Sequence, residues 1–374
     1  MALRDDIDPE GLDEFSVVFT DRSLNHMSAT FQQVMRDISR ISKEVYGGSG
    51  VALVPGGGTY AMEAVARQFG RGAEVLVLRN GWFSYRWSQI FEAGGFAGMT
   101  DVVLARQAGN GAQAPFAPAP IEEVEARIAE AKPDVVFAPH VETSAGIILP
   151  DAYIARMATA AHEVGALMVL DCIASGCIWV DMAATGVDVL ISAPQKGWSA
   201  TPCAGLVMLS QRALARMEET SSNSFAMDLK KWREIMAAYE AGGHAYHATM
   251  PTDGLKMFRD AMIETRDMGF DTAKAAQWDL GDKVRAMLAA RGITSVAAEG
   301  FGAPGVVVSY TDDPEIKTGR AFAAKGTQIA AGVPLQCDEP AGFSTFRLGL
   351  FGLDKLADVD GTVARLETVL DQVV

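Results

Sequence analysis

The chain has 374 residues and a formal net charge of −15, with 49% hydrophobic and 21% charged residues. So large an excess of acid excludes a polyanion such as nucleic acid as the main partner, because such binding needs a basic face. The apolar share excludes wholesale disorder, and no run approaches the ~20 apolar residues of a membrane span.

The first fifteen residues, MALRDDIDPEGLDEF, are acidic and lack the apolar stretch of a secretory signal. They are expected to form an N-terminal segment, 1–15, ahead of the folded part of a cytoplasmic protein. From about residue 30, helical periodicity alternates with short apolar runs. FQQVMRDISRISKEVY predicts a helix, VALVP a strand, and TYAMEAVARQFG a helix closed by Gly70. EVLVLRNG is a strand, SYRWSQIFEAGG a helix and DVVLAR a strand. QAGNGAQAPFAPAP (107–120) is expected to be a surface loop. IEEVEARIAEAK and PDAYIARMATAAHEVG are helices on either side of the strand PDVVFAPH. ALMVLDC, VDVLIS and AGLVMLS are three further strands. Continuous apolar strands separated by helices predict an α/β fold with a mostly parallel central sheet and helices on both faces. A long helical stretch follows from 253 to 292, then strands in GVVVSY and FSTFRLGL and a final helix in DVDGTVARLETVLDQV. The expected division is a large α/β domain, 16–255, and a smaller C-terminal α+β domain, 256–374.

Three features carry chemistry. In VALVPGGGTYAMEA a strand runs into Gly56, Gly57 and Gly58, and Thr59 opens a helix. Glycines let backbone N–H groups approach an anion, and the helix terminus adds a favourable dipole. Alone, the stretch also reads as a tight turn with an N-cap, and Gly56-x-Gly58-x-x-Ala61 satisfies a dinucleotide fingerprint. Asp171 ends an apolar strand at the edge where open α/β sheets bind ligands; alone, it also reads as a capping or loop aspartate. Lys196 follows the next strand in ISAPQKGW, and alone reads as a surface lysine. Together, a phosphate cradle, an acid and a lysine match the needs of pyridoxal phosphate. Its phosphate takes the cradle, its ring nitrogen the acid and its aldehyde the lysine, as a Schiff base. In HVETSAG, Thr143 and Ser144 are small hydroxyls at another strand end, suited to the ring oxygen. The four cysteines (172, 177, 203, 337) lack zinc-ribbon spacing and read as buried, reduced thiols, with only Cys337 placed on a loop. No metal is expected.

With these motifs in this order, the chain resembles the class V (fold type I) aminotransferases of the alanine–glyoxylate and serine–pyruvate branch, over about residues 50–352. PGGGTYAMEA resembles the phosphate loop, implying Gly57, Gly58 and Thr59 as phosphate ligands. NGWFSYRW is similar to the segment whose aromatic residue, here Phe83, lies over the cofactor ring. HVETSAG, VLDCIAS and SAPQKGW resemble the loops that imply roles for Thr143, Asp171, Gln195 and Lys196. YHATMP resembles the segment by which Tyr246 and Thr249 would reach the phosphate in a neighbouring subunit, implying a homodimer. FRLGLFG is similar to the segment whose arginine, here Arg347, would hold the substrate carboxylate with a planar fork. The implied reaction is transfer of an amino group from alanine, serine or a similar small amino acid to glyoxylate or pyruvate.

Some residues depart from the family pattern. Ser84 replaces a glycine, Cys172 replaces a serine, and the N-terminal region VVFTDRSLNHMSATF lacks the usual Pro-Gly-Pro-type segment beside the substrate. Other readings stay open. A 2-aminoethylphosphonate–pyruvate transaminase shares the HVETSAG pattern, although Gln195 before the lysine favours the first branch. A class V lyase such as a cysteine desulfurase needs an exposed, mobile cysteine. An NADP-dependent oxidoreductase would use the glycine loop and Arg79 but leaves Lys196, Tyr246 and Arg347 without roles.

Overall fold

The computed structural model describes residues 7–16 and 23–374. Expectations for 1–6 and for 17–22 of the atypical N-terminal region fall outside the described residues. A helix, α1 (Ala29–Tyr46), leads in. The Ser28 hydroxyl accepts from Phe31 N–H at 3.1 Å and Gly47 closes the helix in the left-handed conformation. Its buried stripe of Phe31, Val34, Met35, Ile38 and Ile41 follows the helical repeat.

Seven strands form the main sheet: β1 (Gly50–Pro55), β2 (Glu74–Arg79), β3 (Met99–Leu104), β4 (Val135–Pro139), β5 (Leu167–Asp171), β6 (Val189–Ser192) and β7 (Ala204–Leu209). Their spatial order is β1-β7-β6-β5-β4-β2-β3. β2 through β6 run parallel, and β7 alone is antiparallel, to both β6 and β1. Helices α2 (Gly58–Phe69), α3 (Trp82–Gly94), α4 (Ile121–Ala131) and α5 (Asp151–Glu163) make the connections. β4 to β7 are buried along their whole length, as their unbroken apolar runs require. The architecture is the expected α/β layering, with a mostly parallel sheet between helices.

The C-terminal third holds an antiparallel sheet ordered β8-β10-β9, from β8 (Val306–Tyr310), β9 (Ala330–Ala331) and β10 (Thr345–Gly349). The long helical stretch is two helices, α6 (Thr252–Met268) and α7 (Phe270–Ala290), broken at Gly269, whose φ is +92°. Each half serves a different neighbour: α6 packs on α1, whereas α7 packs on β8 and the final helix α8 (Val359–Leu370). The Ala/Gly/Pro-rich stretch is more ordered than a surface loop. Arg106–Gln107 pairs with Phe116–Ala117, and Ala114, Phe116 and Ala119 are buried.

Candidate active site

The C-terminal ends of β1, β2, β4, β5 and β6 converge on one edge of the sheet. β1 delivers the glycine loop. Gly56 has φ +116° and donates its N–H to the Cys203 carbonyl at 2.9 Å, which turns the chain into α2. No side chain caps α2, so its first amides face outward at the positive end of the helix. The Ile173 side chain, from the loop after β5, lies over Gly58. The Thr59 hydroxyl accepts from Arg86 Nη1 at 3.1 Å.

β2 delivers Phe83 through the first turn of α3. The helix starts two residues before its sequence pattern does, because the fully buried Glu142 caps it from 59 residues away in the chain. Glu142 accepts from Phe83 N–H at 3.1 Å, from Ser84 N–H at 2.9 Å and hydroxyl at 2.6 Å, and from Ser144 N–H at 3.0 Å and hydroxyl at 2.7 Å. The Ser84 hydroxyl in turn accepts from Asn80 and Gly81 N–H at 2.9 and 3.1 Å, so the serine that departs from the family pattern helps tie the turn together. Two cations lie near the half-buried Phe83 ring: its centroid is 5.3 Å from the Arg86 guanidinium carbon and 5.4 Å from that of Arg347.

Asp171 ends β5 beside Pro139 and Ile191 of the adjacent parallel strands. It is buried and accepts from Ile173 N–H at 2.8 Å. Burial pushes its carboxyl up to about 7, helped by Glu142 and opposed by the Ile173 amide and by Arg86. Neighbouring His140, bonded to the Ser175 hydroxyl at 2.7 Å, is driven down to about 3 by burial and Lys274, and is therefore a neutral imidazole.

Lys196 sits in the turn after β6. Ser199 N–H bonds the Lys196 carbonyl, and Ala200 N–H the Pro194 carbonyl. A Cβ on Gly197 would overlap the Gly176 carbonyl, so the turn closes only with glycine there. The lysine amine lies over the Phe351 ring at 5.5 Å. Burial lowers its pKa, and Arg347 and Arg86 lower it further. Arg347, on β10, donates Nε–H to the Ala331 carbonyl at 2.8 Å; burial lowers its pKa, opposed by Glu142. The Gln195 side-chain oxygen, an acceptor, is buried without a hydrogen-bond partner.

The structure thus brings Gly57, Gly58, Thr59, Phe83, Asp171, Lys196 and Arg347 to one edge, with half-buried Thr143 on the adjacent loop. Tyr246 and Thr249 stand apart. Both are exposed, and their hydroxyls bond each other at 3.2 Å. Thr249 borders an open hollow of about 640 Å³ that it shares with Gly56 and Met257. Cys337 lies on a loop, as expected, but is not exposed there. It is buried, and burial pushes its thiol up to about 12, as it does those of Cys177 and Cys203; burial also raises that of Cys172 well above the ordinary value. Sequence reasoning did not single out Glu142 or Arg86, although both lie in motifs it quoted.

A sequence model of the family described as Aminotransferase class-V matches residues 15–304. The chain belongs to the class V aminotransferases. A 2-aminoethylphosphonate–pyruvate transaminase of Burkholderia mallei (strain SAVP1) is 30% identical over 358 residues, covering 91% of this chain and 88% of that one. A relative from Synechococcus sp. (strain PCC 6716), named soluble hydrogenase, small subunit, is 26% identical and covers 93% and 87%. Among solved structures, an alanine–glyoxylate aminotransferase from Nostoc sp. superposes with a TM-score of 0.77 at 21% identity, over 93% of this chain and 89% of that one. For this class V aminotransferase, no helix among the described residues is long and apolar enough to cross a membrane.

Proposed function

We propose that this aminotransferase uses pyridoxal phosphate to move the amino group of a small amino acid, such as alanine or serine, to glyoxylate or pyruvate. The reading includes a cytoplasmic homodimer, in which Tyr246 and Thr249 reach the partner's cofactor. The observation that supports it is that Asp171 ends β5, Lys196 follows in the turn after the adjacent parallel strand β6, and Ile173, two residues past Asp171, lies over Gly58 at the uncapped start of α2. The residues fit the cofactor. The uncapped amides at the start of α2, by Gly57, Gly58 and Thr59, suit its phosphate, Phe83, Thr143 and Gln195 are its further expected contacts, and the buried Asp171 suits the ring nitrogen.

When bound, pyridoxal phosphate supplies an electron sink for charge that develops at the substrate Cα. Arg347 holds the substrate carboxylate. Lys196, its amine biased toward the neutral form, serves as attachment point and then takes the proton from the substrate Cα through Nζ.

A second reading, 2-aminoethylphosphonate as amino donor, is favoured by the 30% identical relatives. Four buried cysteines with raised thiol pKa values disfavour desulfurase chemistry. The test is a panel of glyoxylate, pyruvate, 2-oxoglutarate and phosphonoacetaldehyde against several donors, followed by the cofactor's absorbance. Lys196→Ala is expected to abolish turnover while the folded chain still binds the cofactor. Wild-type protein that stays colourless after reconstitution would refute the proposal.

A further inference from the structure

Arg86 has no carboxylate within ion-pair distance among the described residues, although it is half-buried and the chain is strongly acidic. Its recorded polar contact is the Thr59 hydroxyl at the start of α2, and its guanidinium lies by the Phe83 ring. Its charge is felt by Asp171 and Lys196. It therefore borders the groups that meet the cofactor's phosphate, ring face, ring nitrogen and aldehyde. A half-buried cation is favoured by an anion at contact distance, and none of the described residues supplies one. The place it reaches, an uncapped helix terminus, is where a tetrahedral oxyanion is favoured.

We propose that Arg86 is a ligand of the cofactor's phosphate, closing the cradle from the α3 side. This rests on the cofactor reading above. The planar fork adds charge-assisted hydrogen bonds that the backbone amides alone do not give. Thr59 holds the guanidinium in place and Glu142, by fixing the first turn of α3, sets the point from which it extends. A second tetrahedral or carboxylate group on the substrate has the same chemistry, so the test separates the two sources.

Apoprotein is titrated with pyridoxal phosphate and, separately, with pyridoxal, which lacks the phosphate. Arg86→Gln is expected to raise the dissociation constant for pyridoxal phosphate about 10- to 100-fold while leaving that for pyridoxal within about twofold. Inorganic phosphate should also compete less well at the variant. Arg86→Lys keeps the charge without the fork, and gives the same pattern at smaller amplitude if Arg86→Gln does not fold. Equal losses for both ligands overturn the proposal, since Arg86 would then only support the loop. Unchanged cofactor affinity with a raised KM for 2-aminoethylphosphonate also overturns it and assigns the arginine to substrate. A wild type that binds neither compound removes the cofactor reading itself, whereas a binding wild type with unaffected variants removes this proposal alone.

Discussion

Asp171→Asn in the cofactor-free protein tests the electrostatics of the site directly. Burial holds the Asp171 carboxyl at about 7, against an ordinary value of 3.8. Below about pH 4 both folded and unfolded chains keep the proton, and the site carries no penalty. Between those values the unfolded chain releases a proton that the folded chain retains. The folded state is therefore progressively disfavoured as pH rises, and above about 7 the loss is complete. A gap of about three pH units at about 1.4 kcal/mol each gives about 4 kcal/mol, of which about 3 kcal/mol accrues between about pH 5 and pH 8. Asparagine keeps the volume and the oxygen that accepts from Ile173 N–H, but does not titrate. Urea unfolding of both apoproteins should thus show the variant gaining about 3 kcal/mol on wild type between about pH 5 and pH 8. A stability difference that is the same at the two pH values would refute the argument.

Glu142→Gln should destabilise the protein by about 3 kcal/mol in urea unfolding, because an amide N–H₂ would face donors that now meet a carboxylate; a loss below about 0.5 kcal/mol would show the α3 cap to be dispensable. With all four thiols buried and their pKa values raised, a thiol reagent at neutral pH should label none in the native protein and all four after denaturation. Rapid labelling of Cys337 in the native state would show its loop to open.

The apolar runs made the strands of the main sheet legible, because a strand buried on both faces has little choice of residue. Lys196 and Asp171 were legible for the same reason: each is a polar residue just where such a run stops. Other features depend on partners distant in sequence. Glu142 reads as one more loop acid until the fold sets it against α3. Arg86 reads as an exposed helix residue until Thr59 is beside it. The antiparallel β7 has the same apolar pattern as its parallel neighbours, because direction leaves no mark on composition. The break at Gly269 lies inside an unbroken helical period, where a lone glycine is tolerated and only its positive φ reveals the change of direction.

The contact between Gly197 and Gly176 has a further consequence. Gly176 is itself hemmed in, since a Cβ there would meet the Gln277 side chain from α7 at 2.8 Å. Leu353, beyond β10, bonds its N–H to the Ser199 hydroxyl at 2.8 Å in the same turn. The lysine turn is thus clamped between parts of the chain separated by more than a hundred positions. A side chain at Gly197 would displace the Gly176 backbone, and one at Gly176, whose φ is +67°, would displace Gln277. A variant library screened for function should therefore recover no change at Gly197, and changes at Gly176 only together with a smaller residue in place of Gln277, even though neither glycine has a side chain that could touch a substrate.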